Sequence, residues 1–140
     1  MSTLTTPTAV RQRTSTYGTV VSGVLIAAFS LSVVHTVYAC VSDLEDPDFT
    51  VTTPLAWGFY AVGFGMALLA RRDRPWADWT VAAYLVVLLG IAVFYYPVTF
   101  TAEKQTVFGW FENDVYVGLL VTAFILQVLR LRGVSLVTRR

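Results

Sequence analysis

Four long apolar blocks, separated by short polar stretches, set the pattern of the chain. They run from Gly18 to Val41, Val51 to Ala70, Trp79 to Val98 and Val115 to Leu129, and none contains Asp, Glu, Lys or Arg. A helix in water keeps a charged face opposite its apolar stripe, and these blocks have none. Their lengths approach the roughly 20 residues of helix that cross a hydrocarbon core of about 30 Å. Membrane β-strands would alternate apolar and polar positions, and Tyr84-Leu-Val-Val-Leu-Leu-Gly-Ile-Ala-Val-Phe94 does not. The pattern predicts an all-α polytopic membrane protein, with four transmembrane helices in an antiparallel bundle at about 18–41, 53–70, 78–98 and 114–132.

Punctuation supports these bounds. Thr53-Pro54 offers a capping hydroxyl and a proline at the first helical position, where its missing N–H costs nothing. Asp78 is placed to cap the third helix, Asn113 or Asp114 the fourth, and Gly133 to end it. Residues 17–133 form the membrane domain, preceded by a flexible Ser/Thr-rich tail over 1–16 and followed by a short basic tail over 134–140. The link from Arg71 to Asp78 is short enough to make the second and third helices antiparallel neighbours.

Composition agrees: 56% of residues are hydrophobic and 14% charged, against about 45–50% and about 25% in soluble domains. The net charge of +1 conceals an asymmetry. Arg11, Arg13, Arg71, Arg72, Arg74, Arg130, Arg132, Arg139 and Arg140 fall on one side of a four-helix topology, leaving Lys104 alone on the other. Basic residues in short loops mark the cytoplasmic face, so both termini are expected inside, in a cell membrane. Asp43, Glu45, Asp46, Asp48, Glu103, Glu112 and Asp114 gather outside. Juxtamembrane arginines of this kind do not describe a nucleic-acid surface.

Val37-Tyr38-Ala39-Cys40 loosely resembles a lipoprotein signal ending. The apolar run before it is too long for a signal, and Tyr38 is too bulky for such a site, so an uncleaved first helix is expected. Cys40 is the single cysteine, which excludes an intrachain disulfide.

Aromatic residues mark both interfaces: Tyr17, Trp76 and Trp79 inside, and Tyr38, Trp57, Tyr95, Tyr96, Trp110 and Phe111 outside. Val107-Phe-Gly-Trp-Phe111 reads either as a segment lying flat on the membrane or as a cover for the helix ends. Small residues recur at four-residue spacing, as Gly18/Ser22, Gly23/Ala27, Ala61/Gly65 and Gly63/Ala67, which lets helix backbones approach. Gln127 is expected to bond to another helix.

Candidate chemistry is sparse. His35, the sole histidine, lies about 9 Å inside the outer end of the first helix at 1.5 Å per residue. An ionisable group at that depth is a functional candidate, and the simpler reading is a neutral imidazole bonded to a neighbouring helix. His35 and Cys40 stand about 140° apart around the helix and share no face. Asp43, Glu45, Asp46 and Asp48 form an oxygen-rich cluster, a weak candidate with His35 for a metal, although the calcium-loop pattern and its glycine are missing. No motif implies a cofactor. No triad, phosphate loop or intramembrane charge of the transporter kind is present, so no catalytic activity of its own is expected.

The resulting expectation is a non-catalytic small subunit that packs in or stabilises a larger membrane complex, such as a respiratory or oxygenase assembly. Its partners would be the lipid bilayer and other membrane subunits. The alternative is a binding or transport protein for a lipid-like or apolar small molecule, with His35, Tyr38, Trp57, Tyr60, Tyr95 and Tyr96 lining a pocket. A metal or redox protein using His35 is the third.

Overall fold

The computed structural model describes residues 7–44, 49–95 and 106–134. These form four helices: α1 (Pro7–Val41), α2 (Pro54–Leu69), α3 (Pro75–Gly90, continued by a π-helical turn Ile91–Tyr95) and α4 (Val107–Leu131). No strand occurs among the described residues. Three segments, Thr16–Val41, Pro75–Tyr95 and Val107–Leu131, are long and apolar enough to cross a membrane. The chain is thus a helical protein of membrane type. At 16 residues, α2 is about 24 Å long at 1.5 Å per residue, short of a hydrocarbon core of about 30 Å.

The element boundaries follow from local chemistry. Thr53 holds the N-cap position of α2 in extended conformation with Pro54 next. Its hydroxyl turns backward, however: it accepts from the Thr50 N–H at 3.0 Å and donates to the Thr50 carbonyl at 2.9 Å. The Thr52 N–H donates to Thr50 Oγ1 at 3.0 Å. Phe49–Thr53 thereby satisfies much of its own backbone.

Three boundaries depart from expectation. In α3 the N-cap is Arg74 and Pro75 opens the helix, so Asp78 sits in the first turn and is not the cap. In α4 the cap is neither Asn113 nor Asp114 but Thr106, whose hydroxyl accepts from the Gly109 N–H at 3.0 Å. Val107–Phe111 is consequently a helical turn, and Glu112 belongs to the helix and not to a loop. Helical backbone in α1 begins at Pro7, within the stretch expected to be a tail. Gly133 follows α4 at φ +66°, the left-handed conformation that stops a helix at little cost for glycine.

Helix packing runs in chain order around the bundle: α1 lies against α2 and α4, α3 against α4, and α2 against α3 less extensively. Side-chain contacts give the directions. Gly18, near the start of the apolar span of α1, lies beside Ala70 after α2 and Arg130 near the end of α4, and Arg130 reaches Asp78 at the start of α3. At the opposite end, Thr36 meets Tyr60, and His35 meets Glu112. The helices therefore alternate up and down. We call these ends the arginine end and the histidine end.

Phe29 is the hub. Its ring lies 5.6 Å from Phe59, 6.0 Å from Phe64, 6.4 Å from Tyr84 and 6.4 Å from Tyr116, so one side chain touches all three other helices. These separations suit edge and tilted aromatic pairs. Gly63 makes room for it, since a methyl group there would collide with the Phe29 ring. Val21, Leu25, Leu85 and Leu120 complete the middle layer. Of the expected small-residue pairs, Gly18/Ser22 and Gly63/Ala67 lie inside, whereas Gly23 and Gly65 face open space.

Candidate functional site

The apolar middle layer separates two polar clusters, one at each end. At the arginine end, Arg130 and Gln127 stand one turn apart on the buried face of α4. The Arg130 side chain is almost fully buried. Its Nη1 donates to the Ala70 carbonyl at 2.6 Å, and its Nη2 to the Arg72 carbonyl at 3.0 Å and Asp73 Oδ1 at 3.1 Å. Asp78 Oδ1 is also 3.1 Å from Nη2. Arg130 thus supplies donors to carbonyls left without helical partners at the end of α2, while its charge meets two carboxylates. Gln127 Nε2 donates to the Asp78 carbonyl at 2.9 Å, which is the interhelical bond expected of it.

Close approach of α1 depends on Gly18. A Cβ there would fall 2.5 Å from the Ala70 oxygen and 2.8 Å from Arg130 Nη1. Tyr17 Oη, Ser22 Oγ, Gln127 Oε1 and Arg130 Nε are buried at this end and have no hydrogen-bond partner among the described residues.

At the histidine end, His35 Nδ1 of α1 is 2.8 Å from Glu112 Oε2 of α4. The oxygen lies off the direction of the ring N–H, so the contact is a close polar approach rather than an aligned hydrogen bond. Glu112 is buried, and the His35 side chain retains a fifth of its exposure. The ring packs against the first turn of α4, where a Cβ at Gly109 would lie 3.7 Å from His35 Cε1. One turn outward, Tyr38 packs on Phe108 as a tilted pair, with ring centroids 4.7 Å apart.

Beside this pair, hydroxyl groups join α1 to α2. Tyr60 Oη donates to the Ser32 carbonyl at 3.0 Å and lies 2.5 Å from Thr36 Oγ1. Below them, an open and largely apolar groove of about 450 Å³ runs between the same helices, lined by Ser30, Val33, Trp57, Tyr60, Ala61 and Phe64.

Of the residues expected to share a pocket, the groove unites Trp57 and Tyr60. His35 and Tyr38 face α4, and Tyr95 is exposed. Tyr96 lies outside the described residues, as do Glu45, Asp46 and Asp48 of the proposed oxygen cluster. Asp43 follows α1 in a turn with φ 54°. Among the described residues no group of three His, Cys, Asp or Glu side chains comes together.

Sequence reasoning missed Glu112 and Arg130 as interior residues, because each adjoins a loop and charges there are ordinarily solvated. A signal was nevertheless present. Glu112, Tyr116, Leu120, Ala123, Gln127 and Arg130 recur at spacings of three and four, the period of one helix face. The chain matches no protein-family model, no curated protein and no solved structure.

Proposed function

We propose that the chain is a non-catalytic, four-span subunit of a cell membrane, with both termini cytoplasmic, that packs within a larger membrane complex such as a respiratory or oxygenase assembly. The observation that carries this reading is where the polar side chains go. Arg130, Gln127, Asp78, Thr36, Tyr60, His35 and Glu112 are engaged between helices of this same chain. The outward surface is instead large and apolar, including Trp57, Trp76, Trp79, Phe94, Trp110 and Phe111. Polar groups used in this way fix a bundle, and an aromatic exterior suits lipid and neighbouring helices.

Extraction from native membranes in mild detergent tests the proposal. The protein is expected to migrate with larger polypeptides at constant stoichiometry. A homogeneous monomer or homo-oligomer recovered alone would refute it.

The groove between α1 and α2 favours a second reading, a site for a lipid-like or apolar small molecule. Co-purification of one such compound, lost on Trp57→Ala and Phe64→Ala, would favour that reading over the first.

A further inference from the structure

Glu112 poses an electrostatic problem, and His35 is the oppositely chargeable side chain that meets it among the described residues. It lies on the buried face of α4, 4% exposed, where a bare carboxylate is strongly disfavoured. From α1 it meets His35 at 2.8 Å. From α2 the nearest titratable side chain is Tyr60, whose hydroxyl is already held by Ser32 and Thr36. On α3, Tyr84 lies deeper in the bundle against Phe29, and Tyr95 is exposed. On α4 itself, Tyr116 is one turn inward and also packs on Phe29, and Asp114 points outward. Among the described residues every arginine with a described side chain lies at the other end.

His35 and Glu112 together are electrically neutral with one titrating proton between them, whether it resides on the imidazole or the carboxyl. Without that proton the pair carries a net negative charge in the bundle interior. The imidazole keeps partial exposure while Glu112 is nearly enclosed.

We propose that His35 and Glu112 form a single-proton binding site that latches α1 to α4 at the histidine end. The bound proton neutralises Glu112 and holds the helices together; its loss leaves a buried anion that is relieved by separation of the helix ends. The sign follows. The latch contributes stability at low pH, where the proton is bound, and that contribution disappears as pH rises through the titration of the pair.

The test uses the full chain in nanodiscs, carrying Cys40→Ser and paired spin labels. Val41→Cys with Val107→Cys reports on the exposed outer ends of α1 and α4, and Val20→Cys with Arg132→Cys on the opposite end. Raising the pH from 5 to 9 is expected to lengthen or broaden the Val41–Val107 distance reversibly and leave the second pair unchanged. The melting temperature should fall by roughly 2–4 °C over the same range. Both responses should vanish in Glu112→Gln, which cannot form the buried anion. In His35→Gln, where Glu112 still has a proton of its own to lose, they should move to lower pH.

A Val41–Val107 distance constant across this range overturns the proposal. So does a response that persists in Glu112→Gln, one that is unchanged in position by His35→Gln, or an equal response at the two ends. If either variant fails to fold, the contrast between the two label pairs in the otherwise native chain still decides.

Discussion

Arg130 is the residue on which most depends at the arginine end, because its guanidinium serves α2, the following link and α3 together. Removing one partner of a buried charge cluster typically costs about 3–5 kcal/mol, since the remaining charges stay buried without compensation. Arg130→Leu is expected to fall in that range by unfolding in detergent, despite preserving apolar volume. Arg130→Lys should recover only part of the loss, as a single ammonium cannot reproduce the planar fork that reaches two carbonyls and two carboxylates. Gly63 is the apolar counterpart. Gly63→Leu places a side chain where the Phe29 ring stands, and overpacking of this kind costs about 1–3 kcal/mol. Gly65→Leu, two positions on and facing open space, should change the same unfolding curve little.

At the scale of the element, the first turn of α4 decides where Glu112 lies. Thr106 caps it through the Gly109 N–H, a bond worth about 0.5–2 kcal/mol in comparable helices. Thr106→Ala should speed hydrogen exchange of the Gly109 amide and of the turn carrying Phe108, whereas Thr106→Ser should not. This turn is also where sequence reading fell short. Apolar runs without charge located the helices, since lipid imposes that pattern along a whole segment. Thr53-Pro54 and Gly133 were legible because their local chemistry permits few alternatives. Nothing local separates a capping Thr106 from Asn113 or Asp114, and Val107–Phe111 is apolar enough for either a helix or a surface segment. What selects the longer helix is tertiary: His35 and Tyr38 of α1 await Glu112 and Phe108. The Arg130 cluster was illegible for a similar reason, since it joins residues nearly sixty positions apart whose individual charges read as ordinary loop residues.

For the whole molecule, the alternating helix directions collect Arg71, Arg72, Arg74, Arg130 and Arg132 at one end. This is the arrangement expected when that end faces the cytoplasm. In intact cells, an impermeant thiol reagent should modify Asp46→Cys and Gln105→Cys in a Cys40→Ser background, and leave Leu136→Cys unmodified until the membrane is broken. Labelling of Leu136→Cys in sealed cells would reverse the assignment.

The brevity of α2 has a consequence for the lipid itself. In the proposed four-span topology, a 16-residue helix stands beside spans of 21 to 26 residues. The bilayer must pinch inward along one flank of the bundle, with α2's flanking threonines and Trp57 drawn toward the hydrocarbon edge. Such hydrophobic mismatch costs fractions of a kcal/mol per Å, enough to bias where the protein resides. It should favour shorter-chain lipids on that flank, and it makes the α2 side the natural place for a second helix to lodge and relieve the deformation.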